Sequence, residues 1–256
     1  MLFLRSLLFS LGMIVSVIIY APLALMTFPF PHRFRYWFIS GYPAMNIWWL
    51  KVTCGLHYRL EGTENIPDSP SVIFSKHQST WETFALTMWF RPQVWVLKRE
   101  LLFVPCFGWG LALLRPIAIN RSAGRSAVDQ VIEQGLERLA TGSWVVVFPE
   151  GTRTPAGTRR RYKTGGAHLA VAHGKPLVPI AHNAGDYWPR RQFIKKPGLI
   201  RVVVGPPIAT AGRTTAEVTA DAEEWIEQKV AELRGTPVPP PPGARAAADM
   251  APNHTA

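Results

Sequence analysis

The chain has 256 residues, 48% of them hydrophobic and 18% charged, and 28 Lys plus Arg against 17 Asp plus Glu leave a formal charge of +11. That apolar content excludes disorder over most of the length, two cysteines cannot staple a domain, and a mean hydropathy of +0.06 argues against a multi-span transporter. A charged share below the roughly 25% of soluble domains points to an apolar phase, and the positive surplus to polyanions: nucleic acid, anionic head groups or phosphorylated small substrates.

No formally charged residue stands between Arg5 and Arg33, and Leu7 to Met26 is almost wholly apolar. As a helix this run is about 30 Å long, enough for a hydrocarbon core, with Pro22 expected to kink or shorten it. It is long for the apolar core of a cleaved signal peptide, and no clean Ala-x-Ala site follows. Arg35 to Leu56 mixes Tyr36, Trp37, Phe38, Tyr42, Trp48 and Trp49 with basic residues. That mixture suits a bilayer interface and equally suits an aromatic core helix. Arg33, Arg35 and Lys51 follow the apolar run and only Arg5 precedes it, which places the remainder on the cytoplasmic side. Residues 1–57 therefore read as a membrane-anchoring helical segment.

From about Tyr58 the pattern alternates. Val72 to Ser75, Val94 to Leu97, Ile117 to Ile119, Trp144 to Phe148, Leu177 to Ile180 and Ile200 to Val204 are short apolar runs of the kind buried strands make. Between them Trp81 to Phe90, Gly124 to Leu139 and Thr164 to His173 read as helices. A last helix spans Thr215 to Arg234, opened by a Thr214/Glu217 capping box and closed by Gly235. The alternation predicts an α/β fold with a mostly parallel sheet flanked by helices over residues 58–234. The Pro- and Ala-rich stretch 235–256 lacks the apolar content for a core and is expected to be a disordered tail. Cys54 and Cys106 read as reduced, buried thiols, and His57, His168, His173 and His182, which lack ligand spacing, as structural.

Two clusters sit at strand ends, where open α/β sheets place their sites. The first is Ser75-Lys-His-Gln-Ser-Thr-Trp-Glu82. His77 and Glu82 would not share a face of one helix, so they meet only if His77 lies in the turn before it and Ser79 or Thr80 caps it. A carboxylate on one ring nitrogen would fix the tautomer and support the imidazolium formed at the other, which makes His77 a candidate general base for a substrate hydroxyl. An ordinary surface histidine near a helix start fits the same spacing. The second cluster is Phe148-Pro-Glu-Gly-Thr-Arg153, in which Gly151 permits a tight turn, Arg153 offers a fork for a phosphate, and Glu150 could orient either. Lys98, at the end of one strand, and Arg121, beyond another, are further candidate phosphate contacts. The run Arg159 to Arg161 with Lys163 reads by default as a solvated, membrane-facing loop.

Taken together these blocks resemble the glycerophospholipid acyltransferase family, specifically its PlsC-type 1-acyl-sn-glycerol-3-phosphate acyltransferases. The family's His-x4-Asp box is similar to His77 to Glu82, its Lys-x-x-Leu-x-x-x-Pro-x-x-Gly block to Lys98, Leu101, Pro105 and Gly108, and its Glu-Gly-Thr-Arg box to Glu150 to Arg153. Ile117 to Arg121 matches a further block loosely, with Asn120 where the family has Asp, and Val178 to Ile180 matches the Val-Pro block. The resemblance implies an acyltransferase that moves a fatty acyl group from acyl-CoA or acyl carrier protein to the sn-2 hydroxyl of lysophosphatidic acid. It also implies His77 and Glu82 as a catalytic dyad, and an acceptor phosphate held by Lys98 and Arg153 with Gly151, Thr152 and Arg121 beside them and Glu150 in support. No metal and no cofactor are expected, nor any nucleic-acid partner. The expected place is the inner membrane, with the catalytic domain on its cytoplasmic face. Glu82 in place of the family's Asp adds a methylene to the dyad and leaves the acceptor open, so another lyso-lipid such as lyso-ornithine lipid is an alternative. A non-enzymatic basic membrane or nucleic-acid binding module is a second alternative.

Overall fold

The computed structural model describes residues 1–242 apart from Cys106 and Arg121. The expectations for those two residues, and for the tail from 243 onward, fall outside the described residues.

Two long helices come first, α1 (Leu2–Met26) and α2 (His32–Cys54). Pro22 does not end α1; it sits in the last turns, where the missing N–H removes a single intrahelical bond. Gly12 lets the pair close up, since a Cβ there would lie 2.1 Å from Trp49 Nε1. The aromatic stretch answers to both of its readings: Tyr36 and Leu50 are buried, while Trp37 and Trp48 are 65% and 59% exposed.

The sheet follows in the order β1-β7-β6-β2-β5-β3-β4. Its strands are β1 (Leu56–Glu61), β2 (Val72–Ser75), β3 (Gln93–Lys98), β4 (Ile117–Ile119), β5 (Trp144–Val147), β6 (Leu177–His182) and β7 (Gly198–Val204). The five from β6 to β4 are mutually parallel; β7 runs antiparallel to β6 and carries β1 parallel beside it. The remaining helices are α3 (Trp81–Trp89), α4 (Phe107–Ala112), α5 (Arg125–Ala140), α6 (Gly165–His173), the short α7 (Ala184–Tyr187) and α8 (Thr215–Arg234).

Strict alternation along each strand splits the core into two layers. Ile73, Val146, Val178 and Val202 face a layer shared with α2 and α3, whereas Phe74, Val145, Val147 and Leu177 face one shared with α5, α6 and α8. Because both faces are covered, the central strands read as unbroken apolar runs. The helical layer is close-packed: a Cβ on Gly166 of α6 would lie 2.4 Å from Phe74 Cε1. On α8, Val218, Ala222, Ile226 and Val230 recur every four residues and are all buried against the sheet.

Candidate active site

Strand order does most of the positioning. β6, β2, β5 and β3 are adjacent and parallel, so their carboxyl ends line up and deliver His182, His77, Phe148 and Lys98 to one edge of the sheet. His77 occupies the turn between β2 and α3, as the dyad requires. Ser79 rather than Thr80 supplies the cap, its Oγ accepting from Trp81 N–H at 3.1 Å. Glu82, in the first turn of α3, folds back over that turn. Its Oε1 accepts from Ser79 N–H at 2.7 Å, Gln78 N–H at 2.8 Å and His77 Nδ1 at 2.9 Å.

The longer carboxylate side chain therefore reaches the ring directly. Since an ionised carboxylate only accepts, the proton of a neutral His77 sits on Nδ1 and the lone pair on Nε2. Burial works to raise Glu82, but the neighbouring His182, the bond from His77 and the Ser79 N–H outweigh it, and the carboxyl lies below its ordinary range. The His77 ring stacks on Phe148 with centroids 4.0 Å apart.

The Glu-Gly-Thr-Arg box packs against the backbone of His77. Glu150 Oε2 accepts from His77 N–H at 2.8 Å, and Thr154 N–H donates to His77 O at 2.8 Å. Glu150 is buried and paired through Oε1 with Lys76 Nζ at 2.6 Å. Burial drives its carboxyl upward, against the pull of that ammonium. Gly151 takes φ +70, the left-handed region a side chain resists, and its N–H donates to Phe148 O at 2.9 Å. Arg153 is partly buried, which lowers its guanidinium from its ordinary value, while Glu82 pulls the other way.

His77, Lys98, Gly151 and Arg153 all line one cavity of about 350 Å³. The rest of its wall is chiefly apolar and comes from both sides: Val17, Tyr20, Ala21 and Ala24 of α1, Ile39 and Pro43 of α2, Phe84 of α3, and Leu111 and Leu114 at α4. Thr152 is not part of that wall. The basic run is not uniformly solvated, because Arg159 pairs with Glu223 at 2.8 Å.

Residues to which the sequence assigns no part in the site stand close by. His182 Nε2 donates to Lys76 O at 2.8 Å, its Nδ1 accepts from Ala184 N–H at 3.3 Å, and burial holds it below its ordinary value. Arg190 Nη1 donates to Arg153 O at 2.9 Å. Lys163 lies over Gly151, its Nζ 3.2 Å from where a Cβ would stand. Lys76 bonds Glu227 as well as Glu150. Among the described residues no group of three His, Cys, Asp or Glu side chains is placed to hold a metal ion.

A sheet edge carrying a His–carboxylate pair, opening on an apolar cavity that basic groups border, defines an α/β enzyme for an amphiphilic substrate. Residues 57–183 match the family model described as Acyltransferase. The chain is 47% identical over 234 residues to a 1-acyl-sn-glycerol-3-phosphate acyltransferase of Pseudomonas aeruginosa, covering 90% of this chain and 91% of the relative. It is 32% identical over 190 residues to the enzyme of that name from Saccharomyces cerevisiae, covering 72% of this chain and 62% of the relative. The crystal structure of the LPA acyltransferase PlsC from Thermotoga maritima superposes with a TM-score of 0.74 at 24% identity, covering 90% of this chain and 95% of that one, and so shares the fold. The chain belongs to the glycerophospholipid acyltransferase family, in the branch of the PlsC-type 1-acyl-sn-glycerol-3-phosphate acyltransferases. That membership replaces the reading of a non-enzymatic binding module.

Proposed function

We propose that this enzyme acylates 1-acyl-sn-glycerol-3-phosphate at the sn-2 hydroxyl from a thioester donor, acyl-CoA or acyl carrier protein, and that His77 is its general base. The observation that carries the reading is the His77 Nδ1–Glu82 Oε1 contact of 2.9 Å on a ring that faces the same cavity as Lys98 and Arg153. The acceptor hydroxyl gives its proton to His77 Nε2 as its oxygen attacks the thioester carbonyl carbon. Glu82 supports the imidazolium formed. Collapse of the tetrahedral intermediate breaks the carbon–sulfur bond, the leaving thiolate takes the proton back from Nε2, and phosphatidic acid and a free thiol result. The thioester carbonyl is already activated, so this route needs no enzyme nucleophile and calls on no cofactor. The acceptor's phosphate is met by Arg153 and Lys98 through charge-assisted bonds, and acyl chain is met by the apolar wall from α1, α2 and α4. With its N–H engaged by Phe148 O, Gly151 contributes to this site by its turn rather than as an oxyanion donor.

The apolar first helix associates with the membrane. Its most apolar stretch of 18 residues is only 11% buried. Both ends of α1 touch the catalytic unit. Ser6 Oγ accepts from Lys195 N–H at 2.9 Å near its start, and Ala21 and Ala24 line the cavity near its end. A helix held to the domain at both ends does not project away from it, which supports an anchor lying in one leaflet; the basic residues Arg33, Arg35 and Lys51 after it support the cytoplasmic face of the inner membrane.

The test is acyl transfer by purified protein given a panel of lyso-lipids with acyl-CoA or acyl carrier protein thioesters. The expected result is dominant turnover of lysophosphatidic acid and its loss in His77→Gln. Faster turnover of an acceptor without a phosphate, such as lyso-ornithine lipid, would overturn the acceptor assignment.

A further inference from the structure

Lys76 takes no part in the reaction written above, yet its ammonium is fully buried. Nζ lies 2.6 Å from Glu150 Oε1, 2.6 Å from Glu227 Oε1 and 3.3 Å from Thr158 O, which accounts for all three of its protons. The Tyr162 hydroxyl donates to the same Glu227 oxygen at 3.1 Å. Glu227 is on α8, and Glu223, one turn earlier on the same face, accepts from Arg159 Nε at 2.8 Å and from Tyr162 N–H at 3.4 Å. The last helix thus grips both segments that make the site: the turn that begins at Lys76, and the loop that runs from Glu150 to Tyr162. It lies outside the segment that matches the family model, which ends at residue 183.

The contacts form a continuous chain. Glu227 holds Lys76, Lys76 holds Glu150 Oε1, and Glu150 Oε2 holds the backbone N–H of His77. We infer that Glu227 is a positioning residue for acyl transfer: through Lys76 and Glu150, α8 sets the attitude of the His77 ring, so that Nδ1 meets Glu82 while Nε2 faces the cavity. The inference rests on the reading of His77 as the base. Two carboxylates sharing one dry ammonium fix its place by balance. With one charge removed, Nζ moves toward the other carboxylate and Glu150 shifts beneath His77. Reacting groups tolerate little misplacement, and an error of about 1 Å costs on the order of 100-fold in rate.

The experiment is steady-state kinetics on full-length Glu227→Gln, with acyl-CoA and 1-acyl-sn-glycerol-3-phosphate varied in turn, at a temperature below the unfolding midpoint of both proteins. Expected is a kcat lower by about ten-fold or more, with both KM values within about two-fold of wild type, because the fault lies in orientation and not in binding. A folded variant with wild-type kcat would make the cluster merely structural and overturn the inference, as would a loss confined to either KM. If Glu227→Gln fails to fold, Tyr162→Phe decides, since it keeps every charge and removes one hydroxyl from the shared oxygen. A kcat loss of about three-fold at unchanged KM supports the inference, and an unchanged kcat overturns it. Activity retained in His77→Gln would instead overturn the base assignment, whereas a dead His77→Gln beside a fully active Glu227→Gln would overturn the positioning role alone.

Discussion

Single charges at this site are set by what encloses them. Arg153 lines the cavity beside His77, partly withdrawn from water, and its carbonyl is tied by Arg190. Partial withdrawal from water strengthens the bond such a guanidinium makes to a phosphate. Arg153→Ala should raise the acceptor KM about 10- to 100-fold, the worth of one charge-assisted hydrogen bond, with the donor KM unchanged. Bisubstrate kinetics read this directly, and an unmoved acceptor KM in folded protein would remove Arg153 from the phosphate site. His182 makes a different case. Burial depresses its folded value, so the unfolded chain takes up the proton first. Stability contributed by the neutral ring is present above the unfolded value of about 6.5 and falls as pH drops below it. The unfolding midpoint should therefore decline from pH 7 toward 5, and His182→Gln, which keeps a donor for Lys76 O, should flatten that decline. Equal slopes in the two proteins would contradict it. The same residues show what a sequence discloses. His77 and Glu82 could be found because they are five positions apart across one turn, and Glu150 to Arg153 because they form one contiguous motif. Lys76, Tyr162, His182 and Glu227 could not: Lys76 and Glu227 are 151 positions apart, and an isolated lysine or glutamate reads as solvated until the fold joins them.

At the scale of elements, legibility followed burial. Strands β2, β5 and β6 are covered on both faces and stand out as apolar runs, and α8 is marked in the sequence by its Thr214/Glu217 capping box and its Gly235 cap. Strand β1, Leu56–Glu61, escaped notice because it lies at the sheet edge, where most of its residues keep contact with solvent and its composition is mixed. The short α4 escaped as well, being six residues with two glycines among exposed aromatics. Glycines are where helix packing hides from pattern reading. Gly135 of α5 faces Leu169 of α6 at 2.4 Å from a virtual Cβ, and Gly166 meets both Phe74 and Val147. Gly166 has an ordinary helical backbone, so Ala there gains propensity and loses only by overlap. The neighbours are core side chains from two adjacent strands with nowhere to retreat. Gly166→Ala should cost about 1–3 kcal/mol, the usual penalty of overpacking, seen as a lower unfolding midpoint. A midpoint equal to or above wild type would mean that α6 slides to make room.

The whole molecule joins an apolar hairpin to a basic α/β unit, and the cavity lined by His77 lies between them. α1 exposes Leu4, Leu8, Leu11, Ile14, Val15 and Ile18 on one side, while Val17, Tyr20, Ala21 and Ala24 turn inward to the wall shared with His77 and Phe84. On the proposed function one helix would meet lipid on one face and substrate on the other, and a lyso-lipid would pass from bilayer to cavity without its chain crossing water. Removal of the segment before Arg59 would then do two separable things. It would take away the apolar surface expected to hold the protein to membranes, and it would strip Phe9, Ile47, Leu50, Cys54 and Leu56 from the core layer beneath α3 and the first residues from β1. Loss of fully buried side chains the size of Phe9 and Leu50 alone withdraws about 1.5–3 kcal/mol each from the remaining unit. The shorter deletion of residues 1–31 keeps α2 and Leu50 and tests the wall more cleanly. It should reduce sedimentation with anionic vesicles. It should also lower kcat/KM for long-chain acceptors in detergent, where no membrane is needed for delivery. A deletion variant that leaves vesicles yet keeps full activity in detergent would show that α1 only tethers, and that the chain-binding wall is built by α2, α3 and α4 alone.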